Sequence, residues 1–264
     1  MGILNLTPDS FHDGGAWDKP SAALGQAERM LNDGADVLDL GAQSTRPGAE
    51  VLGAAAEWQR LEPVLVALKG ARPDAIVSVD TFHAEVARRA LAEGADIIND
   101  VSGGDADPDM WKVVAQARAP YVLMHMQGTP ATMQNNPTYD DVVHEVVTHL
   151  QSRVHAAYQA GVTDVIADVG FGFGKTVAHN YALLDALDQF QELRCPILAG
   201  VSRKSMIQKV LDTDSQHALN GTTALHAWAL DRGAHILRAH DVAEAKEVVA
   251  LHSALVQSRT PDAP

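Results

Sequence analysis

The sequence predicts an α/β fold: a single-domain (β/α)8 TIM barrel with long loops after its first two strands. Three observations carry this prediction. Eight short apolar runs recur along the 264 residues, each is followed by a segment with helical patterning, and polar residues cluster where the runs end. Eight strand–helix units in about 250 residues are what a closed parallel barrel requires, and in such a barrel the strand ends converge on one mouth.

In chain order, GILN ends at Asn5, and a connection from Leu6 to Pro20 leads to a helical segment, Ser21–Asp33. VLDL reaches Gly41 with Asp39 inside it, and a second long connection runs from Gly41 to Gly53. IVSVD ends at Asp80, and IIND at Asn99 and Asp100, with a helix expected over Ala84–Glu93 between them. YVLMH ends at His125, VIAD at Asp168, ILAGVSRK at Lys204 and ILRAH at His240. Helices are expected over Tyr139–Ala160 and Ala218–Arg232. Gly34, Gly94, Gly161 and Gly233 each follow a helix, where the chain turns into a left-handed conformation. The strands read as continuous apolar runs, as expected when both faces are buried.

Both long connections exceed the usual 2–6 residues, and loops of that kind tend to bind ligands or cover sites. A doubly wound open sheet is the architectural rival. It would carry a GxGxxG turn after its first strand, and NLTPDSFHDGG has none. No linker separates the units, so residues 1–264 read as one domain, with SRTPDAP, from about 258 to 264, as a frayed tail.

Net charge is -14, which disfavours non-specific nucleic-acid binding because the chain would repel a phosphate backbone. Arg46, Arg203, Lys204 and Arg238 nonetheless fall near strand ends, a concentration suited to a small anion. No apolar run is long enough to cross a membrane, and the first residues lack the pattern of a signal peptide. The single cysteine, Cys195, allows no intrachain disulfide and reads as inert packing, which fits a cytoplasmic protein.

Asp80, Asn99 and Asp168 end three different strands. Carboxylates and an amide at a pocket floor suit a ligand edge with several N–H donors, such as an aminopyrimidinone. Capping of the following helix is the alternative for Asp80. Arg238 and His240, two apart on one strand, suit a diphosphate. Pairing of Arg238 with a strand-end aspartate is the alternative. The segment GFGFGKT, ending at Thr176, is not a P-loop: the pattern needs a glycine six residues ahead of its lysine, and Val169 stands there. Its glycines suit a close backbone approach to a flat ligand. HExxH, a Cys/His cluster and a nucleophile–base pair are all missing from the sequence.

These residues carry a resemblance. MGILNLTPDSFHDGG, DLGAQSTRPGA, SVDTF, GADIINDVSGG, VLMHMQGTPATMQ, DVGFGFGK, SRKSMI and GAHILRAHDV, in this order, resemble the dihydropteroate synthase family over nearly the whole chain. The resemblance implies condensation of 6-hydroxymethyl-7,8-dihydropterin diphosphate with p-aminobenzoate, giving 7,8-dihydropteroate and pyrophosphate. It implies that Asp80, Asn99, Asp168, Lys204 and Arg238 hold the pterin. Asn5, Arg238 and His240 would hold the diphosphate, with Asn5 also binding Mg2+. The p-aminobenzoate site would draw on Thr45, Pro47, Phe173, Lys204 and Ser205. Arg238, Lys204, Asp168, Asp13 and Arg46 would serve catalysis. A homodimer through outer helices is also implied.

Three departures accompany the match. Gln43 stands where the family commonly has Glu, Val169 where it usually has Pro, and Met1 falls inside the first strand, where relatives usually have residues upstream. Two other readings compete: a non-catalytic pterin-binding paralogue, motivated by Gln43 and the short start, and a methyltetrahydrofolate:corrinoid methyltransferase. The segments STRPG, SRKS and RAH favour the synthase over the methyltransferase.

Overall fold

The computed structural model describes residues 1–6, 19–43, 52–129 and 132–259. Asp13, Thr45, Arg46 and Pro47 lie outside the described residues.

Eight strands form one parallel sheet in sequence order: β1 (Gly2–Asn5), β2 (Val37–Gly41), β3 (Ile76–Asp80), β4 (Ile97–Asp100), β5 (Tyr121–Met124), β6 (Val165–Asp168), β7 (Ile197–Ala199) and β8 (Ile236–Leu237). The last strand returns to the first. Ile3 N donates to Ala239 O and Ala239 N to Met1 O, each at 2.9 Å, and the Met1 ammonium donates to Leu237 O at 2.9 Å. These bonds satisfy backbone groups that an open edge would leave bare.

Around the sheet lie α1 (Lys19–Asn32), α2 (Ala54–Ala71), α3 (Ala84–Ala92), α4 (Met110–Ala117), α5 (Val142–Gln159), α6 (Val177–Asp185), α7 (Ser205–Leu211), α8 (Leu219–Asp231) and α9 (Val242–Arg259). The four glycines expected to end helices all have positive φ, from 91° to 95°. The helix expected from Tyr139 begins at Val142, because Asp141 caps it: its carboxylate accepts from Val143 N at 3.1 Å and His144 N at 3.0 Å. Ser258 and Arg259, expected in the tail, are instead the last residues of α9, where Arg259 pairs with Asp231 at 3.1 Å.

The larger core lies between helices and sheet, where side chains such as Leu38, Leu40, Val77, Val79 and Leu65 are fully buried. A smaller one fills the barrel's interior at the strand starts: Ile97, Val122 and Leu198, with Met1, Val37, Ile166 and Ile236 packed on them. Strand side chains repeat their facing every second residue. Two residues beyond this apolar plug, on the same inward face, come Asp39, Asn99, Met124, Asp168, Gly200 and Arg238. The alternation alone thus sets a polar layer on an apolar floor, at the end of the barrel where the strands finish.

Candidate active site

Arg238, just past β8, is the centre of that layer. Its Nε and Nη2 both lie 2.7 Å from Asp39 Oδ2, and Nη2 lies 2.9 Å from Asp80 Oδ2. Asp39 is fully buried and also accepts from Ser78 Oγ at 2.6 Å and Asn99 Nδ2 at 3.0 Å. Burial works against the Arg238 charge, but Asp39 and Asp80 hold its pKa above the usual guanidinium value. Burial also pushes the Asp80 carboxyl up to about 7, with Arg238 pulling the other way and Asp39 adding to the push. Asp80 does not cap α3: His83 takes that position, and Ala84 N donates to Asp107 Oδ2 at 2.8 Å.

Asp168 faces this group from β6. It is buried, and its Oδ1 accepts from Gly170 N at 2.8 Å. Burial raises its pKa, opposed by the Lys204 ammonium. Lys204 does not end β7 as the run ILAGVSRK suggested. The strand stops at Ala199, and Lys204 sits at the N-terminus of α7. Gly200 brings it back to the site: an added Cβ there would lie 3.7 Å from Lys204 Nζ and 3.9 Å from Asp168 Oδ2. Lys204 Nζ donates to Phe171 O and sits 4.8 Å from the Phe173 ring centroid, and burial pulls its pKa down to about 8.

The glycine turn after β6 is built around Lys175. This lysine is 3% exposed, and its Nζ lies 2.9 Å from His125 Nδ1 and 3.0 Å from both Gly170 O and Phe173 O. Burial pulls its pKa down to about 7, while Asp168 holds it up. Gly170, at φ 70°, has no room for a Cβ, which would strike the His125 carbonyl oxygen. Asn180 Oδ1 accepts from Gly172 N at 2.7 Å, and Gln134 Nε2 donates to Gly172 O at 2.7 Å. The motif that resembles a phosphate loop is thus a turn tied down by side chains, and Phe173 stands half-buried at its tip.

His240 and Asn5 lie at the rim. His240 Nδ1 is 3.0 Å from Ser202 Oγ, and Asn5 ends β1 with its side chain exposed. Ser205, the first residue of α7, is exposed beside Lys204. Arg203 does not join the basic group: its Nε and Nη2 bind Asp241 at 2.8 and 2.6 Å. Gln43 is 8% exposed and exchanges two 2.9 Å bonds with the Leu52 backbone, while its Nε2 donates to Glu57 Oε2 at 3.2 Å. Among the described residues no three or more His, Cys, Asp and Glu side chains group to hold a metal, and no helix is long and apolar enough to cross a membrane.

Arg238 thus gathers Asp39, Asp80 and Asn99, with Asp168 and Lys204 facing them, Phe173 and Ser205 beside Lys204, Asn5 at the end of β1 and His240 past the end of β8. Sequence reasoning passed over Asp39, Ser78 and Lys175. Polarity at an inward strand position was the available signal for the first two.

A barrel with carboxylates, an amide and two cations over its apolar plug has the make-up of a small-molecule site, and the family model described as "Pterin binding enzyme" matches residues 1–240. A Haemophilus influenzae dihydropteroate synthase is 43% identical over 94% of this chain and 90% of its own length. A structure of Xanthomonas albilineans dihydropteroate synthase with 4-aminobenzoic acid superposes with a TM-score of 0.92, at 42% identity, covering 99% of this chain and 93% of that one. A structure of the same organism's enzyme in complex with 7,8-dihydropteroate gives 0.87, at 40% identity, over 99% and 94% of the two chains. The chain belongs to the dihydropteroate synthase family.

Proposed function

We propose that the chain, acting as one domain, condenses 6-hydroxymethyl-7,8-dihydropterin diphosphate with p-aminobenzoate by an SN1-like displacement. The observation that carries this reading is the acceptor-rich floor of Asp80, Asn99 and Asp168 beside two cations, Arg238 and Lys204. Carboxylates suit the N–H edge of an aminopyrimidinone, and the cations suit what departs from it.

An arylamine is neutral near pH 7 with its lone pair available, so no strong general base is required. The barrier is cleavage of the C–O bond to diphosphate. Arg238 is the group best placed to follow the charge that develops there, since its guanidinium already bridges carboxylates at the floor. His240 and Asn5 would bind the same diphosphate from the rim. Phe173 and Lys204 would form the wall of the p-aminobenzoate site, with Ser205 meeting its carboxylate.

Asn5 offers one exposed amide oxygen, and the described residues group no set of carboxylates around it. That suits a hard cation which takes most of its oxygen ligands from substrate phosphate and water, as Mg2+ does. Bound there, Mg2+ would neutralise charge on the departing diphosphate.

The long connections after β1 and β2, bearing Asp13, Thr45, Arg46 and Pro47, would complete the second site and exclude water from the cation left on the pterin methylene. The protein would act in the cytoplasm as a homodimer. Exposed Val210, Leu211, Trp228, Leu251 and Leu255 on α7, α8 and α9 support a covered apolar face.

The test is pyrophosphate release by purified protein with Mg2+ and the dihydropterin diphosphate, with and without p-aminobenzoate. Release that depends on p-aminobenzoate and yields dihydropteroate is expected. Pterin binding without turnover would overturn the reading in favour of a non-catalytic paralogue.

A further inference from the structure

Asp39 touches none of the rim, yet it decides what the floor presents. It lies two residues before Gly41 in β2, fully buried, opposite Ser78 in the β2–β3 register. Paired with Arg238 at 2.7 Å it acts as a carboxylate, which can only accept hydrogen bonds. Ser78 supplies its hydroxyl hydrogen at 2.6 Å, so Asp39 cannot receive the carbonyl end of any neighbouring amide. Asn99 must therefore turn Nδ2 toward it, as the 3.0 Å contact has it, and keep Oδ1 for whatever enters the barrel mouth. The partner network thus assigns the Asn99 amide orientation, which its shape alone would not.

We propose that Asp39 is a positioning residue for pterin recognition: by holding Asn99 Nδ2 and the inner edge of Arg238 on one oxygen, it fixes Asn99 Oδ1 as the acceptor turned toward the ligand. The inference rests on the pterin reading given above and deepens it. Asp80, Asn99 and Asp168 would each offer an oxygen, which suits the 2-amino and N3–H donors of a pterin edge. An amide left free to flip would offer hydrogen instead and set a donor against a donor. The same carboxylate also fixes Arg238 by its Nε side, which leaves the face of the guanidinium to a flat ring.

The test is a pair of variants at Asp39. Arg238 and Asn99 both donate to Asp39 Oδ2, and Ser78 donates to Oδ1. In Asp39→Asn the amide can keep its oxygen at the Oδ2 position and turn its NH2 toward the Ser78 hydroxyl, which can accept, so the Asn99 orientation is kept without the charge. In Asp39→Ala that oxygen is gone, and Asn99 is free to flip and present a donor.

Equilibrium binding of 6-hydroxymethylpterin is expected to weaken about tenfold or more in Asp39→Ala and to stay within about threefold of wild type in Asp39→Asn. The KM for p-aminobenzoate should move little in Asp39→Asn. A role for Asp39 as a charge alone would weaken both variants alike. Urea midpoints on all three proteins identify a variant that fails to fold. Should Asp39→Ala fail, neutron diffraction of the wild-type pterin complex gives the same answer, with Asn99 Nδ2 deuterated toward Asp39 expected. Two variants weakened alike, an Asp39→Ala variant that binds like wild type, or an Asn99 Oδ1 turned away from the ligand would overturn the inference alone. Wild-type protein that binds no pterin would overturn the pterin reading as well.

Discussion

Arg238 Nη2 lies 2.9 Å from Asp80 Oδ2, so a carboxylate proposed to read the pterin edge is held in an ion pair with the cation beside it. Sequence reasoning treated diphosphate binding and pairing with a strand-end aspartate as alternatives for Arg238. The geometry makes the second compatible with the first. An arginine held by its inner edge on Asp39 can release Asp80 to a pterin and turn its outer nitrogen toward an anion, without ever becoming an unpaired buried charge.

Pterin affinity should depend on pH through Asp80. Its free-protein pKa is about 7, raised by burial, and a ligand with N–H donors binds the ionised form. Affinity should therefore fall as pH drops below 7, by up to about tenfold per unit. Calorimetric titration of 6-hydroxymethylpterin between pH 5 and 7.5 checks this. Asp80→Asn should weaken binding and flatten the profile over that range.

Gln43→Glu, the residue common in relatives, should destabilise this chain. Gln43 Nε2 is 3.2 Å from the buried Glu57 carboxylate, whose pKa burial already raises. A second carboxylate in that place removes the donor and adds a like charge, at a cost of about 1–3 kcal/mol at pH 8. A carboxyl with a raised folded pKa regains stability as pH falls, so the deficit should shrink toward pH 5. Urea midpoints at the two pH values measure it.

Lys175→Met should lower stability by about 1–3 kcal/mol, because the carbonyls of Gly170 and Phe173 lose their shared buried donor. The methylenes are nearly conserved in volume, so the loss reports the hydrogen bonds rather than a cavity. A shift in urea midpoint at unchanged slope is the expected signature. The KM for p-aminobenzoate should rise as well, since Phe173 stands on the slackened turn.

His226 should make the protein acid-sensitive. It is 1% exposed on α8, neither ring nitrogen has a hydrogen-bond partner among the described residues, and burial pulls its pKa to about 4. Between pH 6.5 and 4 the unfolded chain holds more protons than the folded one, so stability falls as pH falls. The contribution lost by pH 5 is about 2 kcal/mol. His226→Phe should remove that part of the slope and cost little at pH 7, where it also spares two unpaired nitrogens. Unfolding in urea at pH 7 and pH 5 separates the two effects.

Much of this was legible in the chain. Runs such as IVSVD and VIAD announce strands because both faces of each are buried, and the helix-ending glycines announce themselves because few other residues take φ near 90°. Asn5, Asp80, Asn99 and Asp168 were visible as polar residues closing apolar runs. Asp39 was not, because it sits inside such a run, and its purpose depends on Arg238 at the far end of the chain. Lys175 was passed over once the phosphate-loop pattern failed, since nothing in GFGFGKT reveals that its ammonium turns back on the carbonyls of its own turn. Lys204 was misplaced at a strand end because the short β7 is followed by a turn through Arg203, at φ 55°, that no periodicity signals.

The contact between Asp39 and Arg238 spans 199 residues, and the bond from Met1 to Leu237 spans 236. During synthesis, a ribosome-bound chain holding only the first seven strands would present Asp39 and Asp80 with no Arg238 between them. Their mutual repulsion would oppose early compaction of the mouth. The ion pairs of the floor can therefore form only once the final strand docks, and a chain ended before it would leave Asp39 and Asp80 without their cation.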